Sequence, residues 1–523
     1  MRKNNIFHWM ILVLLVLSVI STLDAQTRRQ RPPEYKEISA AARIQNPADK
    51  LKELEKIKAA YPESQMMNTI ENLILNTKIE MASTLKDVLA LQKEAIASSE
   101  GLNKLAGYFQ SASQIIDHAK ISTFNPNEVL ETILVYQKDA TKLAENPELF
   151  QEMKQDQSAR MKAYYVTGFG IPIAQAYLLA GKAQKALDAL KTYKDEGGAP
   201  NIVFYYVYGE ANLALGNKNE AYNSFLAGAV EPARGTSYGD AAERAKALYT
   251  EIKGSAQGFD AELEAQMKAL PYHPAEYTPA EEWKGKAVLA ELFTGSECPP
   301  CVGADLGFDG LLESYDPKYL VILQYHLPIP RPDPMMNPAT KIRQDYYGVN
   351  STPTVVIEGT NKMIGGGNRG MAEGKYEQYK AAIDPLITAV PPIQLKVNAK
   401  LEGRIVKVEC DFDKLAPEAD YHVVLVQEEQ EYKGSNGLMY HKMVVRDIIM
   451  IHPVTKDATF DLDASENATN TYLTEFEKTY TRIPNFKWSV RHFKIARQGL
   501  KVVFFAQDRE SKQILNAVIA DVK

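Results

Sequence analysis

The chain is poor in cysteine and carries no surplus of basic residues. Its three cysteines exclude a small scaffold that is held together by several disulfides. Lys and Arg number 60 against 66 Asp and Glu, which gives a formal charge of -6. A nucleic-acid-binding protein would carry a basic surplus, so nucleic acid is not expected among the partners. Hydrophobic residues make up 45% and charged residues 24%, which excludes disorder as the dominant state.

Long apolar runs are also lacking, except for one near the N-terminus. Arg2 and Lys3 precede an apolar run at residues 10–20, and Ala25 is a small residue suited to cleavage. We therefore interpret residues 1–25 as a signal peptide and predict an exported protein, periplasmic or secreted. If the segment stayed uncleaved, it would instead anchor the protein in a membrane. No other contact with a membrane is expected.

The 523 residues are too many for one core and indicate about three domains. After a basic linker at 26–35, residues 36–270 are rich in helix formers with a 3.6-residue period, which predicts an all-α region. Residues 271–390 begin with a Pro-rich break and then alternate apolar strands with amphipathic helices, which predicts an α/β domain. Residues 391–523 show alternating strands with Gly, Asn and Asp turns, which predicts an all-β, sandwich-like domain.

A repeat of 35 residues lies within the helical region. The sequences AYLLAG at 176–181 and ANLALG at 211–216 are each followed by an alanine and then by a large apolar residue at the same offsets. The residues at those offsets are Ala186 and Leu190 in one copy, and Ala221 and Phe225 in the other. Small residues there let two antiparallel helices approach closely. The period resembles that of tetratricopeptide repeats, and a generic helical bundle is the alternative.

Cys298 and Cys301 form a CPPC motif between a predicted strand and a predicted helix. A sulfur at a helix N-terminus lies near free N–H groups and the positive end of the helix dipole, which stabilise a thiolate. We therefore predict that Cys298 attacks and that Cys301, one turn further along, resolves. Pro300 fits the first helical turn without the loss of a hydrogen bond.

Two alternatives for the cysteine pair are a structural disulfide and half of a metal site. A zinc site would need a second CxxC or a suitably spaced pair of histidines, and the eight histidines are scattered along the chain. No metal and no cofactor are therefore expected. The third cysteine, Cys410, alternates with apolar strand residues and is predicted to be a buried apolar side chain.

Two further residues join the motif. Pro353 stands in the sequence STPT directly before a predicted strand, and Glu291 lies on the strand that leads to the cysteines. With CPPC, these features resemble the thioredoxin superfamily over residues 284–390. The run ELFTGSECPPCVGAD at 291–305 is more closely similar to a family of secreted thioredoxin-like proteins. That similarity also includes His326, Asp333-Pro334, Arg343-Gln344 and Thr352-Pro353.

The resemblance implies thiol–disulfide exchange with protein or peptide clients, together with an electron-transfer partner that the sequence does not identify. It implies that Pro353 follows a cis peptide bond and packs against the disulfide. The backbone of Thr352 is then left free to pair with an extended client, beside Pro299 and Pro300.

The resemblance also suggests roles for four charged or titratable residues. Glu291 is the candidate carrier of the proton of Cys301, and the alternative is a carboxylate that is exposed or has a structural hydrogen-bonding role. His326, Asp333 and Arg343 are candidates to line the site. A packed histidine and a surface ion pair between Asp333 and Arg343 are the alternatives for these three.

The sequence departs from the superfamily pattern around the motif. Thioredoxins carry an aspartate on the strand, and one residue fewer separates that aspartate from the first cysteine. They also carry an aromatic residue where this chain has Glu297. A negative side chain there opposes thiolate formation. No histidine lies between the cysteines, so a reductase or isomerase is expected rather than a strong oxidase. The alternative function is a non-enzymatic periplasmic or surface binding protein that uses the thioredoxin-like domain as a scaffold.

Overall fold

The structure is a computed structural model. It describes residues 32, 34–120, 123–151, 155–232, 238–452, 454–483 and 485–523. The predicted signal peptide at 1–25 lies outside the described residues. The chain divides into two compact units between Phe225 and Leu226. No helix in the described ranges combines the length and the apolar character that crossing a membrane requires.

The first unit is helical, as predicted. Its helices are α1 Tyr35–Ala41, α2 Pro47–Ala60, α3 Met67–Met81, α4 Leu85–Ala97, α5 Gly101–Ala119, α6 Pro126–Ala144, α7 Gln155–Thr167, α8 Gly170–Leu179, α9 Ala183–Asp195 and α10 Ile202–Ala214, and α11 Lys218–Ala229 follows. Helices α2 and α6 each begin at a proline after an asparagine, Asn46 or Asn125, whose side chain accepts the first free backbone N–H groups. These starts are therefore encoded locally.

The 35-residue repeat corresponds to two helical hairpins, α8–α9 and α10–α11. The small residues that define the repeat, Ala176, Ala186, Ala211 and Ala221, are completely buried. Gly209 allows a close approach, because a Cβ at this position would lie 2.8 Å from the ring of Phe225. The small residues of the repeat are thus buried among the helices, and the tetratricopeptide-like arrangement stays a prediction.

The second unit is built around a mixed sheet of eight strands. After α12 Ala241–Lys253 and α13 Phe259–Lys268, its strands are β1 Val288–Thr294, β2 Leu320–His326, β3 Thr354–Ile357, β4 Asn361–Ile364, β7 Ala419–Glu431, β8 Tyr440–Ile451, β10 Leu500–Asp508 and β11 Ile514–Asp521. Their order is β11-β10-β7-β8-β2-β1-β3-β4. Strands β1 and β2 are parallel, and β3 runs antiparallel to β1. The helices of this region are α14 Val302–Ser314, α15 Pro338–Tyr347 and α16 Ala372–Ile387.

A separate antiparallel sheet consists of β5 Leu395–Glu402, β6 Ile405–Phe412 and β9 Asp457–Asp461. Strand β7 connects two cores because its residues alternate between them. Val424 and Val426 belong to the core that contains β1 and β2, whereas Val423 and Leu425 belong to the core that contains β5 and β6. The eight-stranded sheet is therefore covered on both faces at β7.

The region at 391–523 differs from the predicted all-β domain in two ways. It contains the helix α17 Leu462–Thr479, which begins at the capping side chain of Asp461. It also has no sheet boundary with the preceding region, because Gln324 of β2 pairs with Val444 of β8. The residues predicted to form an α/β domain and a β domain thus share one sheet. Alternation along a strand identifies its faces but not its neighbours.

Candidate functional site

The CPPC motif lies between β1 and α14, as predicted. Cys298 has an extended backbone, residues 299–301 form a 3-10 turn, and α14 begins at Val302. Cys298 and Cys301 form a disulfide with an S–S distance of 2.12 Å and a Cα–Cα distance of 5.3 Å. Both cysteines are completely buried, whereas Pro299 is half-buried and Pro300 is exposed.

Thr352 lies beside the first cysteine. The hydroxyl oxygen of Thr352 is 3.4 Å from Sγ of Cys298, and it donates a hydrogen bond to the carbonyl of Ile329 at 2.8 Å. The Thr352–Pro353 peptide bond is cis, which is the isomer that the resemblance implied. Within the described residues, neither the backbone N–H nor the backbone C=O of Thr352 makes a hydrogen bond.

A glycine loop at 365–367 holds these segments together. Gly367 donates its N–H to the carbonyl of Pro300 at 2.7 Å, and Gly365 donates to the carbonyl of Pro353 at 3.1 Å. A Cβ at Gly366 would overlap the carbonyl oxygen of Pro300 and lie 2.7 Å from Cγ of Pro353. Only glycine therefore fits at 366 without a shift. The run of three glycines is the signal in the sequence.

Glu291 is buried on β1, where its carboxylate faces Arg343 of α15. Nε and Nη2 of Arg343 donate to the two carboxylate oxygens at 2.9 and 2.8 Å. The hydroxyls of Tyr347 and Tyr325 donate to the same carboxylate at 2.6 and 3.1 Å. Within the described residues, Glu291 makes no hydrogen bond to either cysteine. This geometry matches the alternative of a structural carboxylate, and Arg343 pairs with Glu291 rather than with Asp333.

His326 and Asp333 meet beneath the loop that precedes Cys298. Nδ1 of His326 lies 3.0 Å from Oδ2 of Asp333, and both side chains are completely buried. The same carboxylate oxygen accepts the backbone N–H of Ser296 at 2.6 Å and its hydroxyl at 2.9 Å. Burial opposes ionisation of Asp333, but His326 and the hydrogen bonds outweigh it and lower its pKa to about 2. The pair thus holds the loop in place.

The tip of the β7–β8 hairpin packs against the other side of this loop. Asn436 donates its backbone N–H to the carbonyl of Ser296 at 3.0 Å, and Ser435 donates to Oε1 of Glu297 at 3.4 Å. A Cβ at Gly434 would lie 2.5 Å from the Ser296 carbonyl oxygen. The sequence placed this hairpin in another domain, so it gave no sign of the contact.

Asp305 is a further buried acid near the motif, and the sequence assigned it no role. The hydroxyl of Thr294, at the end of β1, donates to its Oδ1 at 2.5 Å. Burial raises the pKa of Asp305 well above that of an ordinary aspartate. Its position in the chain, four residues after Cys301, was the available signal.

In the part of the chain that the structure describes, no group of three or more His, Cys, Asp or Glu side chains is arranged to hold a metal ion. Comparisons with protein-family models, with characterised proteins and with solved structures found nothing that matches the chain.

Proposed function

We propose that the protein is an exported thiol–disulfide oxidoreductase of the reductase or isomerase type, which acts on protein or peptide clients through Cys298 and Cys301. One observation carries the proposal: a segment 54 residues further along the chain places the Thr352 hydroxyl 3.4 Å from Sγ of Cys298. A disulfide that only held a loop would not require such a neighbour. Strands β1 and β2 are parallel, and the helix that follows the CPPC motif connects them along the chain. This arrangement supports a thioredoxin-like domain.

The chemistry follows from two thiols one turn apart. In the reduced protein, the Cys298 thiolate attacks a client disulfide, a mixed disulfide forms, and one client thiolate leaves. Cys301 then loses its proton and attacks Sγ of Cys298, which releases the second client thiolate. The client gains two electrons and the Cys298–Cys301 disulfide is formed. A dithiol donor must reduce that disulfide before the next cycle.

The backbone of Thr352 offers a place for the client. Its N–H and C=O have no hydrogen-bond partner among the described residues, and the residue is half-buried at the edge of the site. An extended client segment can pair with these groups in the manner of an added strand. Exposed Pro300 then lies on the surface next to the incoming client.

The burial of both sulfurs favours the alternative, a binding protein in which the disulfide is structural. Because Cys298 is completely buried, a client reaches its sulfur only after neighbouring atoms move. The alternative makes the opposite prediction for redox behaviour. A structural bridge stays oxidised in buffers that reduce a cycling dithiol.

Equilibration of the folded protein in glutathione buffers of graded ratio separates the two functions. Samples are quenched in acid and alkylated, and the oxidised fraction of Cys298–Cys301 is read by mass. The proposal predicts a titration within the range of the buffers. A pair that stays oxidised throughout, but is reduced in the same buffers after unfolding in urea, would establish the structural bridge.

The helical unit is proposed to recruit clients. The hairpins α8–α9 and α10–α11 repeat the same burial of small residues, which is how tetratricopeptide-like repeats stack. Stacked repeats of this kind present extended surfaces that suit peptide segments. The proposal that the protein is exported rests only on the sequence of residues 1–25.

A further inference from the structure

Resolution of a mixed disulfide requires that Cys301 lose a proton, and water has little access to this sulfur. Cys301 is completely buried. Thr352, Gly367 and Asn436, from three other segments, contact the motif or the loop before it. Glu291 makes its hydrogen bonds to Arg343, Tyr325 and Tyr347 instead. The proton therefore needs another acceptor within the protein.

Asp305 is a buried acid on the helix that follows the motif. It lies four residues after Cys301, and Cys301 has helical backbone angles, with φ -72° and ψ -26°. Side chains four residues apart on a helix lie on the same face, with Cβ atoms about 5–6 Å apart. Asp305 is 5% exposed, so it belongs to the same buried environment.

The groups around Asp305 lie on β1, α14 and α16 and in the loop after β2. Thr294 of β1 donates a hydrogen bond to it at 2.5 Å. Burial raises its pKa most strongly, the Thr294 hydrogen bond works against this rise, and the charges of Asp309 on α14 and Asp333 after β2 add to it. On α16, burial and then Asp305 raise the pKa of Tyr379. The Tyr379 hydroxyl is buried and has no hydrogen-bond partner in the described part of the chain.

A carboxyl with a raised pKa is suited to exchange a proton with a thiol. Proton transfer is most efficient when the pKa of the acceptor approaches that of the donor. The pKa of an ordinary aspartate is far below that of a cysteine thiol, and the burial of Asp305 reduces the difference between the two pKa values.

We propose that Asp305 accepts the proton of the Cys301 thiol as Cys301 attacks the mixed disulfide, and that it returns this proton when the Cys298–Cys301 disulfide is reduced again. In the forward step the S–H bond of Cys301 breaks, the proton moves to a carboxylate oxygen of Asp305, and the sulfur's electron pair forms the bond to Sγ of Cys298. The client sulfur leaves as a thiolate. This inference rests on the proposed function.

Release of thionitrobenzoate from 5,5′-dithiobis(2-nitrobenzoate) reports the two chemical steps separately. Attack by Cys298 of the reduced protein releases the first equivalent, and attack by Cys301 on the mixed disulfide releases the second. Asp305→Asn is expected to leave the rate of the first phase unchanged and to slow the second phase about 10- to 100-fold. This factor does not exceed the lower end of the rate enhancements that general acid–base catalysis supplies. Glu313→Gln, at an exposed acid on the same helix, should change neither phase.

The pH dependence gives a second test that does not require the Asp305 variant to fold. In the wild type, the second phase should quicken as the pH rises through the pKa of Asp305, because only the carboxylate accepts a proton. Asp309→Asn removes a charge that raises the pKa of Asp305, so the increase in the rate of the second phase should occur at lower pH.

Each failure has its own signature. The role of Asp305 would be refuted if both phases kept their rates in Asp305→Asn. It would also be refuted if Asp309→Asn left unchanged the pH at which the second phase becomes faster. Either result would leave the proposed function standing. Reduced wild type that releases no thionitrobenzoate would refute the proposed function, and the role of Asp305 with it. Cys301→Ser should show the first phase only, which fixes the assignment of the two steps.

Discussion

Glu291 and Arg343 meet through two parallel hydrogen bonds, and their side chains are 0% and 1% exposed. Nη1 of Arg343 also donates to Oε1 of Gln507 on β10 at 2.9 Å. One buried ion pair thus joins β1, α15 and a strand from the far side of the sheet. Glu291 therefore has a structural role in this arrangement, and another group must accept the proton of Cys301.

Glu291→Gln should therefore act on stability. The substitution keeps the size of the side chain but leaves the Arg343 charge buried without its partner, which costs about 3–5 kcal/mol. Chemical unfolding of the oxidised protein measures the loss, and the two phases of thionitrobenzoate release in the reduced variant measure the chemistry. A loss below about 1 kcal/mol, as for an exposed pair, together with a slower second phase would instead make Glu291 the proton carrier.

The local features of the site could be predicted from the sequence, but the contacts between distant segments could not. The strand, CPPC turn and helix follow one another in the chain, so their order was readable. The partners Glu291 and Arg343 are 52 residues apart. The side-chain amide of Asn436 donates to the carbonyl of Gly295, which lies 141 residues earlier in the chain. A buried charge does not indicate its partner in the sequence.

The same limit explains the fold. The alternation along β7 indicated a strand with two distinct faces, but not that β8 would lie beside β2. Helix α17 was missed because its buried apolar residues, Leu462 and Leu473, are too sparse to give a clear helical period. Its capping residue, Asp461, was the remaining signal.

The reactivities of the three cysteines should differ in the reduced protein. Cys298 precedes the helical turn at the motif, which favours its thiolate. Burial and then Asp457 raise the pKa of Cys410 to about 12, so this thiol stays protonated near neutral pH and should begin to react only as the pH approaches that value. Iodoacetamide labelling followed by mass mapping should show Cys298 modified first. Equal rates for Cys298 and Cys410 would contradict the assignment of the nucleophile.

Gly366→Ala should disturb the site through packing alone. A Cβ there would overlap the Pro300 carbonyl oxygen, so the glycine loop must move away from the motif. Overpacking of this kind costs about 1–3 kcal/mol, and the reaction of Cys298 should change with it. Thermal unfolding and thionitrobenzoate release measure the two effects.

Gly374→Ala is the matched control for that substitution. Gly374 lies in α16, and a Cβ there would meet nothing within 4 Å. Replacement of glycine by alanine within a helix stabilises it by about 0.5–1 kcal/mol. If the two alanine variants behaved alike, the close approach at Gly366 would have no energetic weight.

Cys301→Ser should trap clients. Attack by Cys298 still forms the mixed disulfide, but the serine hydroxyl cannot displace the client, so the adduct persists until dithiothreitol is added. Tagged protein is recovered from the cell envelope and culture medium and is run on non-reducing gels. Bands of higher mass that collapse on reduction are the expected result.

Three controls decide what such bands mean. Cys298→Ser should trap nothing, because the attacking sulfur is absent, and the Cys298→Ser, Cys301→Ser double variant should behave in the same way. Cys410→Ser in the Cys301→Ser background should leave the bands unchanged, because Cys410 is buried in the other core. If the single Cys301→Ser variant gives no reducible adduct while its Cys298 is free and open to alkylation, the oxidoreductase proposal fails. A binding protein in which the disulfide is structural would then account better for the burial of both sulfurs.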